Sequence, residues 1–282
     1  MTEVFISVDM EGVAGIATLD QVARGGSAYP AAQRLMTLEA NAAIAGAFEG
    51  GATAVTVNDS HGTMDNFLLE LLDPRAEVVT GLPKMQCMAE GARAEHDVAF
   101  FIGYHAPAGG AGVLAHTFSS HFTQVRVNGA VASEASINAL QLAALGVPLG
   151  LVSGDDVICA EIAKNFPSAR TVQVKTAHGW SATRTVSPAR SSELIRDAAR
   201  AAVGDWQSLP AAVLPERFEL QVDMPNQTAA EMAAGIPGMF RLDDRTVGRD
   251  VTDPDELVGL ITVLYSLAAS AVQSRMAVVN RR

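Results

Sequence analysis

The sequence predicts an α/β fold in which helices flank a mostly parallel sheet, with a smaller α+β portion toward the C-terminus. Short apolar runs typical of buried strands alternate with longer segments of helical periodicity. Hydrophobic residues make up 49% of the 282 residues and charged residues 18%, the balance of a compact globular protein with a sizeable core. Three successive strands also end in metal-binding residue types, as expected at the edge where parallel strands present their carboxyl ends.

The first predicted strand, residues 5–8, runs into two acids, Asp9 and Glu11. Residues i and i+2 of an extended chain point to the same side, so both carboxylates project from the end of the strand. Neighbouring carboxylates repel unless one is protonated or a cation lies between them, and a divalent metal is the obvious cation. Taken alone, the pair is explained equally well by a solvated loop or a helix cap.

A helix and a second strand follow and complete a βαβ unit. Tyr29 and Pro30 open the helix, which ends at Gly50 and Gly51. Its expected apolar face consists of Leu35, Leu38, Ala42, Ala45 and Phe48. The second strand, residues 54–57, leads into a polar segment that ends with His61 and Gly62.

The third strand, residues 98–102, is apolar throughout and leads into His105. A glycine-rich loop over residues 106–112 precedes His116. Residues 124–131 have the pattern of a hairpin whose Asn-Gly turn supplies positive φ angles. Ser133 is a good N-cap for a helix that begins at Glu134 and places this acid in its first turn.

The rest of the chain continues the alternation. The predicted segments are strands at 148–152 and 171–175, helices to about 166 and at 188–203, a strand at 218–222, a short helix near Glu231, an extended segment at 240–247 and a long helix from Asp253. We expect one domain over residues 1–282, with a subdomain boundary near 205–215. Asp155 and Asp156 also end a strand, but helix capping explains them, so they are candidates only for contacts behind the metal ligands.

Charge and composition exclude several classes of function. The net charge of −11 disfavours a nucleic-acid partner and favours small-molecule or peptide ligands. We expect a cytoplasmic protein without a membrane partner, because no uninterrupted apolar run reaches about 18 residues and no signal-type segment opens the sequence. The two cysteines, Cys87 and Cys159, lack a CxxC spacing, which disfavours a disulfide framework or a cysteine-rich zinc site. Nucleotide-binding and serine-hydrolase motifs are also absent from the sequence.

The candidate ligands fit two metal ions better than one. They are Asp9, Glu11, His61, His105 and Glu134, with His116 nearby. Three carboxylates offset most of the charge of two dications, and one bridging hydroxide would bring the cluster close to neutral. Mixed histidine and carboxylate ligands favour zinc over manganese or cobalt. Such a pair sharing a hydroxide is suited to hydrolysis.

Each residue alone has an ordinary structural explanation. The histidines left out are His96 and His121, which have the neighbours of exposed loops, and His178, which lies in a glycine-containing turn.

With these motifs in order, at residues 5–12, 57–61 and 103–106 and then at His116 and Glu134, the chain resembles the dinuclear zinc D-aminopeptidases of the DppA family, which is associated with dipeptide transport. The resemblance implies that Asp9 bridges two zinc ions. It also implies that Glu11 and His61 complete one site, that His105 and Glu134 complete the other, and that His116 acts in catalysis without being a ligand.

The resemblance further implies an activity and an assembly. Family members remove the amino-terminal residue from short peptides rich in D-amino acids, such as D-Ala-D-Ala, and form ring-like homo-oligomers, with a decamer as one expected size. Residues 118–123 and much of the C-terminal third depart from the family pattern, so the pocket and the oligomer contacts stay open. Two alternatives also stay open at this point: a dinuclear-metal amidase that acts on a non-peptide amide, and a metal-stabilised binding protein without turnover.

Overall fold

The computed structural model describes residues 1–210 and 213–279. The helices are α1 (Leu19–Val22), α2 (Tyr29–Glu49), α3 (Glu134–Ala144), α4 (Asp156–Asn165), α5 (Pro188–Gly204), α6 (Gln227–Ala234) and α7 (Pro254–Val279). The strands are β1 (Glu3–Val8), β2 (Ala54–Asp59), β3 (Glu77–Val79), β4 (Val98–Tyr104), β5 (Gln124–Val127), β6 (Ala130–Val131), β7 (Leu149–Asp155), β8 (Arg170–Gly179), β9 (Ala182–Thr185), β10 (Phe218–Asp223), β11 (Phe240–Arg241) and β12 (Thr246–Val251).

The central sheet has seven strands in the order β3-β2-β1-β4-β7-β8-β9. Its strands are parallel except for the antiparallel β8–β9 pair. This architecture confirms the predicted α/β class. Because β2, β1 and β4 are neighbours, their carboxyl ends meet at one edge of the sheet, and this edge carries the polar residues that follow each strand.

A second sheet is antiparallel and has the order β11-β12-β10-β5-β6. The smaller α+β portion was expected only toward the C-terminus, and this was incomplete, because the hairpin at 124–131 belongs to it. In β10 the apolar residues Phe218, Leu220 and Val222 are buried and alternate with partly exposed polar residues, and Val222 pairs with the buried Val125 of β5. The predicted boundary at 205–215 includes residues 211 and 212, which lie outside the described residues, and it stays a prediction.

The bounds of α2 were predicted correctly, but its face was predicted only in part, because Ala42 is buried while Leu38 is not. The helix buries Ala32, Met36, Ala40 and Ala43, whereas Leu38 is 38% exposed. The reason is close packing against α5: a Cβ at Gly46 would lie 2.2 Å from the backbone oxygen of Arg196. Small residues therefore form the contact, and the larger apolar residues do not mark it.

The sequence pattern did not predict two short strands and one turn. The edge strands β3 and β9 have three and four residues, too few for a clear period. Residues 240–247 contain β11, a turn and the start of β12, because Asp243 accepts backbone hydrogen bonds from Arg245 and Thr246 at 2.8 Å each. The predicted hairpin turn is confirmed, with φ of 51° at Asn128 and 76° at Gly129.

Helix α7 is one helix in the described part of the chain that is long and apolar enough to cross a membrane by length and composition. Its segment Pro254–Ser274 has a mean hydropathy of 1.6. Polar residues such as Thr262 interrupt it, which is why a search for an uninterrupted apolar run did not select it. Leu257, Ile261 and Leu264 are fully buried against the rest of the protein. Core helices of globular proteins show the same pattern, so this composition is weak evidence for a membrane span.

Candidate metal centre

Two glycines allow the ends of β1 and β4 to approach closely. A Cβ at Gly12 would lie 1.9 Å from the backbone oxygen of Tyr104, and one at Gly103, where φ is 71°, would lie 2.3 Å from the oxygen of Asp9. The backbone amide of Asp9 donates to Ile102 at 2.8 Å, which extends the strand pairing by one residue. The Asp9 carboxylate is therefore held over the end of β4.

His61 lies beside both acids that follow β1. Its Nδ1 is 2.8 Å from Oε2 of Glu11 and 3.4 Å from Oδ1 of Asp9. Its Nε2 lies 2.8 Å from the backbone oxygen of Val22. A carbonyl oxygen only accepts, so Nε2 carries the proton and, in the neutral ring, Nδ1 points a lone pair at the two acids. We call Asp9, Glu11 and His61 the first half-site.

His105 is oriented in the same way from the end of β4. Its Nδ1 donates to the backbone oxygen of Ala106 at 2.9 Å. Its Nε2 lies 3.3 Å from Oδ2 of Asp9 and 3.3 Å from Oε2 of Glu134. Glu134 comes from the first turn of α3, whose N-cap Ser133 accepts a hydrogen bond from Ser136, as predicted. We call His105, Glu134 and the adjacent His116 the second half-site.

The donor set fits metal ions. Two of the buried atoms that face each other, Oδ2 of Asp9 and Nε2 of His105, have no hydrogen-bond partner among the described residues. Nitrogen and oxygen ligands on one tetrahedral zinc ion lie ~3.3 Å apart, given bond lengths of ~2.0–2.2 Å. The distances of 3.3 and 3.4 Å around Asp9 match this spacing. Within each half-site, one candidate ligand atom from each residue lies within 4.8 Å of the others.

The electrostatics of the cluster point the same way. Burial lowers the pKa of His105, but the charges of Glu134 and Asp9 outweigh it, so the pKa lies well above its ordinary value. The pKa of His61 is raised well above its ordinary value in the same manner by Glu11 and Asp9. Burial raises the pKa of Asp9. The imidazoles of His105 and His61 lower it by a larger amount, so the pKa lies below its usual range. The carboxylates therefore stay ionised and favour positive charge at these positions.

His116 stands at the mouth of the second half-site. Its Nδ1 donates to the backbone oxygen of Leu114 at 2.8 Å, and its Nε2 lies 3.7 Å from Oε1 of Glu134. Its ring stacks on His105 with centroids 4.2 Å apart and an angle of 13° between the planes. Its side chain is 21% exposed, against 1% for His105. The geometry allows His116 either to bind a metal through Nε2 or to exchange a proton there.

The half-sites open into a cavity of about 410 Å³. Its wall consists of Ser60, Gly62, Met64, Leu82, Pro83, Lys84, Cys87, Met88, Phe118, Thr262 and Tyr265, beside the candidate ligands. A second cavity of about 340 Å³ adjoins it. Glu11, His116, Phe118 and Tyr265 line both cavities. Both segments that were expected to depart from the family pattern thus reach the cavities. Residues 118–121 line the second cavity, and α7, in the C-terminal third, lines both.

The other residues weighed from the sequence have structural contacts. Asp155 caps α4 by accepting from Ile158 at 2.9 Å and also accepts from Val113 at 2.8 Å. Asp156 accepts from the backbone of Ala177 at 2.8 Å. The prediction that His96 lies in an exposed loop was wrong, because it is 4% exposed. It lies against β2 and β1, since Nε2 is 3.3 Å from the Thr56 hydroxyl and its ring contacts Phe5.

Sequence analysis did not identify Lys175, which lies behind the first half-site. It is 2% exposed, and its Nζ donates to the backbone oxygens of Val13 at 3.1 Å and Ile16 at 2.7 Å, and to that of Glu11. Burial lowers its pKa to about 8 even though nearby carboxylates, Asp155 foremost, raise it. A lysine that directly follows the valines of β8 was the one signal, and it did not indicate which loop the lysine would hold.

A buried chain of hydroxyl and amide groups lies beneath both half-sites and was also missed. The Tyr104 hydroxyl lies 2.7 Å from that of Ser7 and accepts from Nδ2 of Asn138 at 3.0 Å. The Ser7 hydroxyl lies 2.7 Å from that of Ser60. Each member is close in sequence to a candidate ligand, and Asn138 lies one helical turn after Glu134. The i, i+4 spacing on α3 was the available signal.

The chain and its fold are similar to those of known proteins. A family model described as D-aminopeptidase, peptidase family M55, matches residues 2–263. A curated D-aminopeptidase from Bacillus subtilis (strain 168) is 34% identical over 267 residues, which cover 94% of this chain and 97% of the relative. The solved structure of the Zn-dependent D-aminopeptidase DppA from Bacillus subtilis, described as a self-compartmentalizing protease, superposes with a TM-score of 0.92 at 32% identity. The superposition covers 95% of this chain and 98% of that one.

Proposed function

Because the chain belongs to the D-aminopeptidase family M55, we propose that it is a zinc-dependent aminopeptidase that removes the amino-terminal residue from short peptides containing D-amino acids, such as D-Ala-D-Ala. One observation carries the proposal: the two carboxylate oxygens of Asp9 face two different histidines, His61 at 3.4 Å and His105 at 3.3 Å. A single carboxylate shared between two sets of donors is the arrangement of a dinuclear hydrolase.

In this proposal two zinc ions would bind in each subunit, with manganese or cobalt as possible replacements. Asp9 would be shared between them, Glu11 and His61 would hold one ion, and His105 and Glu134 would hold the other. When bound, such a pair supplies a hydroxide nucleophile at neutral pH and polarises the scissile carbonyl. The protein contributes the orientation of each ligand, because the backbone oxygens of Val22 and Ala106 fix the ring nitrogens of His61 and His105 that are left to bind.

His116 is proposed to move the proton during hydrolysis. The backbone oxygen of Leu114 holds the proton of Nδ1, so proton exchange is confined to Nε2, which faces the cavity beside Glu134. The stacked ring of His105 fixes the plane of His116. A histidine so placed can transfer a proton to the leaving amine or stabilise the tetrahedral intermediate.

A ring-like homo-oligomer, with a decamer as one expected size, is part of the proposal. It is supported by the description of the similar solved structure as self-compartmentalizing. A short peptide is the expected partner, and the net charge of −11 supports it over a nucleic acid. The cytoplasmic location stays a prediction from the sequence.

Metal content combined with an activity panel tests the proposal. We would measure zinc per chain, and hydrolysis of D- and L-dipeptides and of non-peptide amides, in wild type, Asp9→Ala, His116→Ala and Asp156→Ala. Asp156 follows the end of another strand of the sheet, β7, but contacts Ala177, so it serves as a matched control. We expect about two zinc ions and activity on D-dipeptides in wild type and Asp156→Ala, with loss in the other two.

Three outcomes would contradict the proposal. Zinc-free wild-type protein that stays active would exclude the metal centre. Unchanged activity in both Asp9→Ala and His116→Ala would exclude the site. Activity on non-peptide amides alone would instead favour the dinuclear amidase.

A further inference from the structure

Bulky residues in the left-handed backbone conformation concentrate around the two cavities. Five non-glycine residues in the described part of the chain have positive φ, and the only one of them away from the cavities is Asn128, in the hairpin turn. The four that line the cavities are Met64 with φ of 56°, Cys87 with 53°, Leu114 with 53° and Phe118 with 57°. A side chain in this conformation is strained relative to ordinary backbone geometry, so the clustering of four such residues calls for an explanation.

Backbone requirements alone do not explain why these positions carry side chains. The amide of Phe118 donates to Oε1 of Glu134 at 2.5 Å, and the oxygen of Met64 accepts from Gly81 at 2.5 Å. Glycine would make the same backbone contacts at positive φ without strain. The side chains of Met64 and Phe118 are therefore kept at an energetic cost, as is common at ligand-contacting positions.

The wall that these side chains form is apolar and has no free cation. Met64, Cys87 and Phe118 lie there with Leu82 and Met88. Of the wall residues that the structure describes, Lys84 is the one lysine or arginine, and its three donor positions are used. Nζ donates to Oδ1 of Asn58 at 2.5 Å and to the backbone oxygens of Asp59 at 2.7 Å and Val79 at 3.3 Å. An acidic substrate side chain would therefore find no free ammonium or guanidinium group among these described wall residues, and a basic one would bury its charge against the apolar atoms of Met64, Cys87 and Phe118.

The two cavities adjoin at His116 and would hold different parts of a substrate. The first cavity is lined by Asp9 and by acids and histidines of both half-sites, whereas Glu11 and His116 are the members that reach the second. In an aminopeptidase the residue with the free amine carries the carbonyl that is attacked, so that residue lies over both half-sites. The second cavity contains polar residues from 119–121 and is left for the rest of the peptide.

We propose that Met64, Cys87 and Phe118 form the subsite for the side chain of the substrate's amino-terminal residue, and that this subsite selects uncharged apolar side chains and limits their size. The inference rests on the proposed aminopeptidase function. The residues act on selectivity, so their effect is on the ratio of kcat/KM between substrates and not on the presence of activity.

The test uses the zinc-loaded full chain and two dipeptide series. In the first series the amino-terminal residue is D-Ala, D-Leu, D-Phe, D-Glu or D-Lys before a constant D-Ala; in the second it is constant D-Ala before the same residues. Wild type is compared with Met64→Gly, Phe118→Gly and Cys87→Met. Asn128→Gly is the matched control, because it relieves the same backbone conformation far from the cavities.

We expect wild type to disfavour D-Glu and D-Lys at the amino terminus. The two glycine variants should raise the kcat/KM of D-Phe or D-Leu relative to D-Ala in the first series by about tenfold or more, the scale of one methylene in an apolar pocket. Cys87→Met, which keeps the backbone strain but fills the cavity, should shift the ratio in the opposite direction. Asn128→Gly should leave it unchanged.

Selectivity that stays the same in all three cavity variants, or that changes only in the second series, overturns the inference while leaving the aminopeptidase function intact. Wild type without activity on any peptide overturns the proposed function, and the inference with it. Cys87→Met keeps the test decisive if a glycine variant does not fold.

Discussion

Asp9 of the first half-site lies 3.3 Å from His105 of the second, but the two half-sites are built differently. In the first, Glu11 and His61 follow two adjacent strands whose residues pair in register, Val8 opposite Asp59, and the two side chains lie 2.8 Å apart. In the second, the histidines follow β4 and its loop while Glu134 comes from a helix, and the closest distance between its candidate ligands is 3.3 Å. In the first half-site His61 and Glu11 lie within hydrogen-bond distance of each other, whereas in the second Nε2 of His105 has no hydrogen-bond partner among the described residues.

This difference shows where the protein and where the metal organise the centre. Lys175 clamps the loop of the first half-site through three backbone oxygens. No comparable clamp lies behind the second half-site in residues 1–210 and 213–279, where His105 depends on its neighbour Ala106 and His116 on Leu114. We therefore expect the first half-site to be preformed and the second to be ordered by the ion.

Replacing the shared residue should have the largest effect. Asp9→Ala should lose both zinc ions. The accompanying loss of activity should exceed the factor of about 10²–10⁴ that is typical when one acid–base group is removed. Glu11→Ala and Glu134→Ala should each lose one ion, from the first and second half-site respectively. Metal analysis of the three variants checks this, and equal loss from all three would remove the distinction between a bridging and a terminal ligand.

His116→Ala separates catalysis from metal binding within the second half-site. If His116 only moves a proton, kcat falls by about 10²–10⁴-fold while zinc content stays at the wild-type value. Zinc content and steady-state kinetics on a D-dipeptide check both parts. Loss of one zinc ion in parallel with activity would make His116 a ligand, an arrangement that the 3.7 Å distance to Glu134 permits.

Lys175→Met should weaken the first half-site alone. Removing the donor leaves three buried backbone oxygens without their partner, and a support of this kind typically changes metal affinity by about 10–100-fold. Competition with a zinc chelator measures the two affinities. An equal loss of zinc affinity at both half-sites would show that Lys175 does not support the first half-site specifically.

The same lysine gives a pH dependence of stability. Burial lowers its pKa to about 8 in the folded protein, against an ordinary value of 10.5 in the unfolded chain. Between these values the unfolded chain holds a proton that the folded protein has released, so raising the pH favours folding. The difference in free energy of unfolding between wild type and Lys175→Met should rise by roughly 3 kcal/mol over this range. Urea unfolding at pH 8 and pH 10.5 measures it, and a constant or falling difference contradicts the assignment.

Tyr104→Phe should have the smallest effect and should not distinguish the half-sites. The hydroxyl joins Ser7 beneath the first half-site to Asn138 beneath the second. Its loss should reduce the free energy of unfolding by about 1–3 kcal/mol and weaken both zinc sites by similar, small factors. Thermal unfolding and chelator competition check this, and an effect confined to one site would show that the chain of hydroxyls serves only that site.

The sequence predicted the parts of the centre that depend on strand ends. Asp9, His61 and His105 follow apolar runs, and the carboxyl ends of parallel strands meet at one edge, so pattern and topology were sufficient to group them. Glu134 was accessible because Ser133 marks the start of its helix. Roles such as bridging came from the family resemblance, because spacing does not determine which oxygen faces which histidine.

The remaining features depend on contacts that a sequence pattern does not encode. The carbonyl of Val22 fixes His61, but a backbone oxygen has no residue-type signature. Lys175 reaches a loop about 160 residues earlier in the chain, and β5 joins a sheet formed mainly by later strands. The packed face of α2 consists mainly of alanines, with Met36 and Ile44 as its large apolar residues, because close helix contact at Gly46 leaves little room there for larger side chains.

In the proposed centre the carboxylate of Asp9 joins two metal sites. Crystals of the zinc-loaded wild type, measured at the zinc absorption edge, test it directly. We expect two anomalous peaks about 3.5–4 Å apart, with one oxygen of Asp9 on each and with His61 and His105 on different ions. A single peak, or two peaks of which Asp9 contacts only one, would contradict it.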